Sequence, residues 1–399
     1  MKHKISLMYL PFFLVLLNWS ARAQQSMKDL IHANMQFAAA QYKILAAHVP
    51  SDSMPRHFDP QKNKWVNSNT KWWCSGFYPG SLWLIYEYTG DESIRKEAEK
   101  KLAILEKEKH YTGNHDLGFM MFCSFGTALR ITENQQYKPA IDTAALSLIT
   151  RYRPVIQSIQ SWNSSDKLRC PVIIDNMMNL ELLMWSAQHG GDSKLREIAI
   201  AHANATLSRH FRPNGSSYHV LDYDPGSGKL LRKLTWQGAA DESAWSRGQS
   251  WGFYGFTMMY RFTQDVRYLE QAKKIAKFMF THPNMPEDLV PYWDFNAPDI
   301  PNAYRDASAA AINASALLEL SQYVSKSESK GYVAKAEKII RSLSSDNYRA
   351  KAGENGGYLL MHSVGSLPHH SEINTTLTYA DYYFLEALHR HKAWILKSK

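Results

Sequence analysis

The stretch Phe77-Tyr-Pro-Gly-Ser-Leu-Trp-Leu-Ile-Tyr-Glu-Tyr88, Thr89-Gly90-Asp91, Glu92-Ser-Ile-Arg-Lys-Glu-Ala-Glu-Lys-Lys-Leu-Ala-Ile-Leu105 holds two kinds of helix joined by a tight turn. The first half is apolar nearly all round, so it belongs in a core. The second carries a single apolar stripe among charges, so its other face meets water. The same unit recurs along the chain. Segments 119–131, 177–187, 251–262 and 307–324 are apolar, and each is followed by a more charged segment at 137–152, 193–211, 267–280 or 331–343. Segment 374–390 supplies a sixth apolar helix, and 27–47 an unpaired helix at the start. If 27–47 packs outside and meets the last helix, six inner helices face six outer ones. That is a closed all-α (α/α)6 barrel, a toroid of six helical hairpins. An open solenoid is the alternative, but units of uneven length suit a closed ring better.

All inner helices of such a barrel start at one end. The segments before them, 50–76, 153–174, 212–247 and 284–305, are long, irregular and rich in aromatics, Gly and Pro. Long connections of this kind usually carry a site.

The chain has 399 residues, of which 45% are hydrophobic, and this composition excludes a disordered protein. Lys2 and Lys4, an apolar run from Ile5 to Trp19, and Ala21-Arg22-Ala23 read as a secretory leader over 1–23. The expectation is an exported, most simply periplasmic, protein with one catalytic domain over 24–399. The formal charge of +9 falls to +6 once Lys2, Lys4 and Arg22 leave. A basic surface concentrates anions, whether acidic saccharide or nucleic acid. Cys74, Cys123 and Cys170 cannot form a closed disulfide set and read as structural thiols. Phosphate-loop, dinucleotide, zinc-protease and serine-hydrolase motifs are absent, and the histidines lack metal-ligand spacing.

Acidic residues stand where inner helices begin: Asp116, Asp175, Asp241 with Glu242, and Asp306. Asp is a favoured N-cap, so each has a purely structural reading. Convergence of several at one aromatic mouth is also the general layout of a glycosidase. Val172-Ile173-Ile174 before Asp175 predicts desolvation, which raises a carboxyl pKa towards that of a usable general acid. Trp245-Ser246-Arg247, four residues before Trp251, reads either as a sugar platform with a carboxylate-binding Arg or as a core helix with one Arg.

Four motifs then occur in order: Trp73-Cys-Ser-Gly-Phe77-Tyr-Pro-Gly, His115-Asp116-Leu-Gly-Phe119, Ile174-Asp175-Asn176-Met-Met-Asn-Leu, and Asp241-Glu-Ser-Ala-Trp245-Ser-Arg247-Gly-Gln-Ser-Trp251-Gly. Together, from about Trp72 to about Leu388, they resemble glycoside hydrolase family 88, the unsaturated glucuronyl hydrolases. The related family 105, acting on rhamnogalacturonan fragments, typically reads Arg-Gly-Asn-Gly-Trp where this chain has Arg247-Gly-Gln-Ser-Trp251. The resemblance implies an (α/α)6 barrel and a substrate left by a polysaccharide lyase, with a 4,5-unsaturated uronic acid at its non-reducing end. It implies hydration of the C4=C5 vinyl ether rather than direct displacement at the anomeric carbon.

By motif match Asp175 is the proton donor and water activator. Asp116, positioned by His115, is the supporting carboxylate. The match also implies that Trp73 and Phe77 line the pocket, that His219, Thr235 and Gln237 are polar contacts, that Trp245, Arg247 and Trp251 form the platform, and that Trp162 walls the next sugar. Lys233 and Trp236 stand where relatives have a smaller residue and a His, and Lys233 would favour a sulfated sugar. No cofactor or metal is implied. The expected partner is an unsaturated uronic-acid oligosaccharide. No nucleic acid is expected, nor a membrane once the leader is cleaved, and the chain is expected as a monomer or homodimer.

Overall fold

Each apolar–charged pair folds as a helical hairpin because only the apolar member can be buried on all sides. The computed structural model describes residues 25–397, so the leader expected over 1–23 lies outside the described residues. The helices run α1 (Met27–His48), α2 (Phe77–Thr89), α3 (Glu92–Leu105), α4 (Thr127–Thr132), α5 (Lys138–Ile149), α6 (Asn176–Gln188), α7 (Ser193–Arg209), α8 (Ser246–Thr263), α9 (Val266–Thr281), α10 (Ala307–Leu320), α11 (Lys326–Leu343) and α12 (Thr378–Arg390). A π-helical segment, Gly118–Gly126, runs straight into α4 and completes that inner helix. The inner ring is α2, the π-segment with α4, α6, α8, α10 and α12, each packed on the next, and α12 closes on α2. α3, α5, α7, α9 and α11 each pack outside, and α1 fills the sixth outer place against α2 and α3. This is the closed (α/α)6 barrel.

Burial follows the sequence pattern. Every residue of α10 is buried, whereas α3 buries only Ile94, Ala98, Lys101, Leu102 and Leu105, one stripe at helical spacing. The outer helices α3, α7 and α9 are capped by Asp91, Asp192 and Asp265, whose carboxylates accept backbone N–H groups at the first turn. Most inner helices lack such caps. α2, the π-segment, α6, α8 and α12 have no side-chain cap, and only α10 has one, from Asp306. The inner N-termini are therefore open towards the mouth.

Several element boundaries differ from the sequence pattern, and α8 starts at Ser246 rather than 251. α11 starts at Lys326 rather than 331, because Ser325 and Glu328 form a capping box and Gly331 sits inside the helix without obstruction. The apolar run 307–324 stops being helical after Leu320. The last inner helix starts at Thr378, since Thr375 pairs as a β-bridge with Ser363. The mouth also carries small sheets that helical periodicity does not reveal. β1 (Met54–Asp59) pairs with β2 (Lys64–Ser68), and β3 (Tyr152–Arg153) with β4 (Ser158–Ile159). β5 (Pro171–Ile173), β6 (Val220–Tyr223) and β7 (Leu230–Leu234) form an antiparallel sheet. Cys74, Cys123 and Cys170 are free thiols. Among the described residues no helix is long and apolar enough to cross a membrane.

Gly118 sets a close approach between two inner helices. A Cβ there would lie 2.5 Å from the Cα of Asn179 on α6. Asn179 Oδ1 in turn accepts the Phe119 N–H at 3.0 Å. Gly118→Ala is therefore expected to lower stability by about 1–3 kcal/mol through overpacking and to lower kcat by displacing Asp116. A thermal melt alongside an activity assay checks both.

Candidate active site

A cavity of about 250 Å³ opens at the mouth where the inner helices begin. β5 runs through Ile173 directly into Asp175, and the chain turns into α6 at Asn176. Asp175 occupies the cap position, yet its carboxylate caps nothing. Its Oδ2 is buried and without a hydrogen-bond partner, 3.7 Å from His219 Nε2. The other mouth acids are committed elsewhere. Asp306 caps α10 and pairs with Arg247, Asp241 accepts the Thr235 N–H, and Glu242 pairs at the surface with Arg212. The capping explanation, reasonable for any Asp before a helix, thus holds for Asp306 and fails for Asp175.

Asp116 lies at the start of the π-segment and lines the same cavity. Its Oδ1 is 3.4 Å from His115 Nε2. Burial, with the neighbouring Asp175 carboxylate adding to it, pushes Asp116 up to about 8. Burial likewise pushes Asp175 up to about 7, against the opposing pull of the Arg247 guanidinium. Both acids therefore titrate near neutrality, and a proton is available to the pair at working pH. The nearby imidazoles are neutral: burial drives His115 down to about 3 and His219 well below its ordinary range. His219 Nδ1 accepts the backbone N–H of Trp236 and of Gln237, both at 3.2 Å. Nε2 then carries the ring proton and presents it towards Asp175.

Seven of the expected residues line the cavity: Trp73, His115, Asp116, Trp162, Asp175, Gln237 and Arg247. Five do not, for identifiable reasons. Phe77 and Trp251 are fully buried one layer below, where Phe119 packs between them at 5.3 and 5.0 Å and meets Trp73 at 5.5 Å. They support the floor rather than face a sugar. His219 stands behind Asp175, and Trp245 lies beside His219 (4.4 Å) and under the Arg247 guanidinium (4.5 Å). Thr235 Oγ1 accepts the Gly238 N–H at 2.8 Å and shapes the turn that carries Gln237.

Arg247 is also more occupied than a free carboxylate clamp. It donates to the carbonyls of Val364 and Gly365 and pairs with Asp306 at 3.1 Å. Lys233 packs over the Tyr218 ring at 4.8 Å and is not part of the cavity wall, whereas Trp236 is.

Sequence reading missed the opposite wall. Arg56, Trp72, Ser366, His369, Ser371, Glu372 and Tyr379 line the cavity. Most lie in the irregular segment before α12, the counterpart of the other mouth connections. Starting the last helix at 374 drew attention away from it. Arg56 and His57 reach the nearly buried Glu372 at 2.5 and 3.3 Å, and Arg56 lies over Trp72 at 4.2 Å. This ties the β1–β2 hairpin to that segment.

A larger cavity, about 430 Å³, lies at the other end of the inner helices. Its charges are already paired, with Glu319 bridging Arg261 and Arg390 at 2.9 Å each. Size alone would favour it over the mouth cavity. The unpaired, desolvated carboxylates are at the smaller cavity, so chemistry belongs there.

The sequence profile of Glycosyl Hydrolase Family 88 matches residues 47–394. The chain belongs to this family. As a family 88 protein it is a glycoside hydrolase, and relatives agree across nearly its whole length. It is 42% identical over 382 residues to an unsaturated glucuronyl hydrolase of Formosa agariphila, covering 94% of this chain and 95% of that one. It superposes on the crystal structure of an unsaturated glucuronyl hydrolase specific for heparin with a TM-score of 0.89 at 41% identity, covering 93% and 99% of the two chains. A variant of the unsaturated glucuronyl hydrolase from Streptococcus agalactiae, complexed with dGlcA-GalNAc6S, superposes with a TM-score of 0.79 at 28% identity over 92% and 93%.

Proposed function

We propose that this protein removes the 4,5-unsaturated uronic acid from the non-reducing end of lyase-generated glycosaminoglycan oligosaccharides, acting as an exported enzyme. The observation that carries the chemistry is Asp175, a buried and uncapped carboxyl raised to about 7, beside the second buried carboxyl Asp116. The charged leader residues and apolar run over 1–23 support export.

The two carboxyls share one proton, and in the reactive form, with the proton on Asp175 and the charge on Asp116, Asp175 donates it to C4 of the vinyl ether, so positive charge develops at C5 and the ring oxygen. Ionised Asp116 stabilises that charge. Water then adds at C5 and returns a proton to the Asp175 carboxylate, so the acid is regenerated. The C5 hemiketal opens by breaking the bond between C5 and the ring oxygen, leaving a C5 ketone and a hemiacetal at C1. Collapse of that hemiacetal expels the remaining saccharide and leaves an aldehyde. One carboxyl serves in both proton transfers, so its pKa must lie near working pH. Burial supplies that match.

The test is loss of the ultraviolet absorbance of the C4=C5 bond on a panel of unsaturated glycosaminoglycan disaccharides, with pectin-derived unsaturated disaccharides alongside. Turnover of the glycosaminoglycan set is expected. Unchanged absorbance across that set, or turnover of the pectin set alone, overturns the proposal.

The same assignment predicts the pH dependence. Activity needs one proton on the pair and one charge. kcat/KM should therefore fall on the alkaline side as the last proton leaves, above pH about 8. It should also fall on the acid side once both acids are protonated. A pH profile of kcat/KM that stays flat from 5 to about 9 would exclude the pair as the titrating machinery.

A further inference from the structure

The cavity holding Asp116 and Asp175 shares one wall residue, Trp236, with a second, shallower groove on the outer side of that indole. The Trp236 ring lies 6.0 Å from Trp162 and 5.4 Å from His369, so the two depressions meet across an aromatic ridge. The groove is floored by Leu168, Leu231 and Leu234, and Lys167, Arg169 and Arg232 stand around it. Two carboxylates, Asp166 and Asp222, also belong to it. Asp222 is fully buried and already neutralised. Its Oδ1 accepts the backbone N–H of Arg169 and Cys170, and its Oδ2 pairs with Arg232 at 2.8 Å. Arg169 pairs with Asp224 at 2.7 Å. Lys167 makes no ion pair among the described residues, and its ammonium sits 5.7 Å from the Trp236 ring. Asp166 makes no ion pair among the described residues either, so the groove is a hydrophobic depression with an uncommitted cation beside an aromatic step and an uncommitted carboxylate next to it in sequence.

Resting on the proposed reaction, we infer that this groove is a distal subsite for the leaving saccharide, where Lys167 receives the carboxylate of the third sugar. The unsaturated sugar must reach the two aspartates in the cavity, so the rest of the chain leaves over Trp162 and Trp236. In a polymer alternating uronic acid and hexosamine, the second sugar is a hexosamine and the third a uronic acid. The hexosamine then lies over the ridge, and the third sugar carries its anion into the groove. Aromatic rings suit the apolar face of a sugar, and a lysine suits a carboxylate that remains partly hydrated. An enzyme with this groove prefers tetrasaccharides to disaccharides.

The experiment compares the unsulfated glycosaminoglycan disaccharide turned over best with the tetrasaccharide of the same repeat. The tetrasaccharide is expected to have a higher kcat/KM by roughly threefold to tenfold, the size of one partly exposed charge contact, carried mainly by KM. Lys167→Glu should abolish that preference and leave disaccharide turnover unchanged. A tetrasaccharide whose third sugar alone has its carboxyl reduced should behave as the disaccharide does, and added salt should erode the preference in the parent enzyme. Equal kcat/KM for the two lengths overturns the subsite. So does a Lys167→Glu variant that keeps the preference or loses disaccharide activity in proportion. If neither length is turned over, the reaction itself is at fault and not the groove.

Discussion

Asp175→Asn is expected to lower kcat by at least about a thousandfold, near the upper end of what general acid–base catalysis contributes, because one group serves two proton transfers. KM should change little, since the amide keeps the shape and the ring contacts. The same variant should melt higher than the parent at neutral and alkaline pH. The sign follows from the raised pKa. Below its ordinary value of 3.8 the carboxyl is protonated in both folded and unfolded chains, so it has no effect on the pH dependence. Between 3.8 and about 7 the unfolded chain ionises while the folded one holds its proton, and the folded state loses stability as pH rises. Above about 7 the cost is complete. Asparagine carries no such cost. The gain in melting temperature should be absent near pH 4 and full above pH 7. Retained turnover in Asp175→Asn would remove it from the acid role, and a melting gain independent of pH would show that burial of its charge is not the cause.

Arg247→Met should be the most damaging single change to stability in the site. Arg247 is buried, and it anchors the segment at Val364 and Gly365 as well as pairing with the fully buried Asp306. Its removal leaves Asp306 without a counter-charge, which costs about 3–5 kcal/mol in buried pairs. For a domain of this size that corresponds to a fall of roughly 5–10 °C in melting temperature. Activity should be lost with it, because Ser366, His369, Ser371 and Glu372 on that segment form one wall of the cavity. Adding Asp306→Asn to Arg247→Met should recover part of the stability, since the orphaned charge is gone. Recovery of stability without activity is the expected pattern. An unchanged melting temperature in the single variant would mean that the pair carries little of the structure.

Arg247 also shows where sequence reasoning divides. The motif around Trp245, Arg247 and Trp251 admitted both a sugar platform and a core helix with one arginine. The structure gives the three residues different positions. Arg247 reaches the cavity, Trp251 is wholly core, and Trp245 supports Arg247 and His219 from behind. No spacing rule separates these, because α8 is buried through most of its length and its faces differ only in what lies across from them. The acids divide the same way. Asp306 and Asp175 both stand before an inner helix, one as a cap and one with its carboxylate free. Local sequence offered both a capping reading and set Asp175 apart only by the apolar Val172-Ile173-Ile174 before it, and the position of Arg247 and His219 across the mouth completes the distinction.

By itself the sequence determined the ring: six apolar helices, their charged partners, and a shared mouth where long connections converge. Hydrophobic periodicity is a local property, and burial of an all-apolar helix has few solutions, so the architecture could be read from residues near one another in the chain. The repeat placed the two aspartates at that mouth, and the four ordered motifs, by resemblance to family 88, implied their separate roles. Only the tertiary structure decided which residues face the cavity and which lie a layer beneath. It alone brought the segment before α12 and the β1–β2 hairpin to complete the wall, and it buried Asp116 along with Asp175, whose desolvation the preceding apolar residues already predict. Those outcomes depend on contacts between residues hundreds of positions apart, such as Arg56 with Glu372, and on water excluded by all of them together.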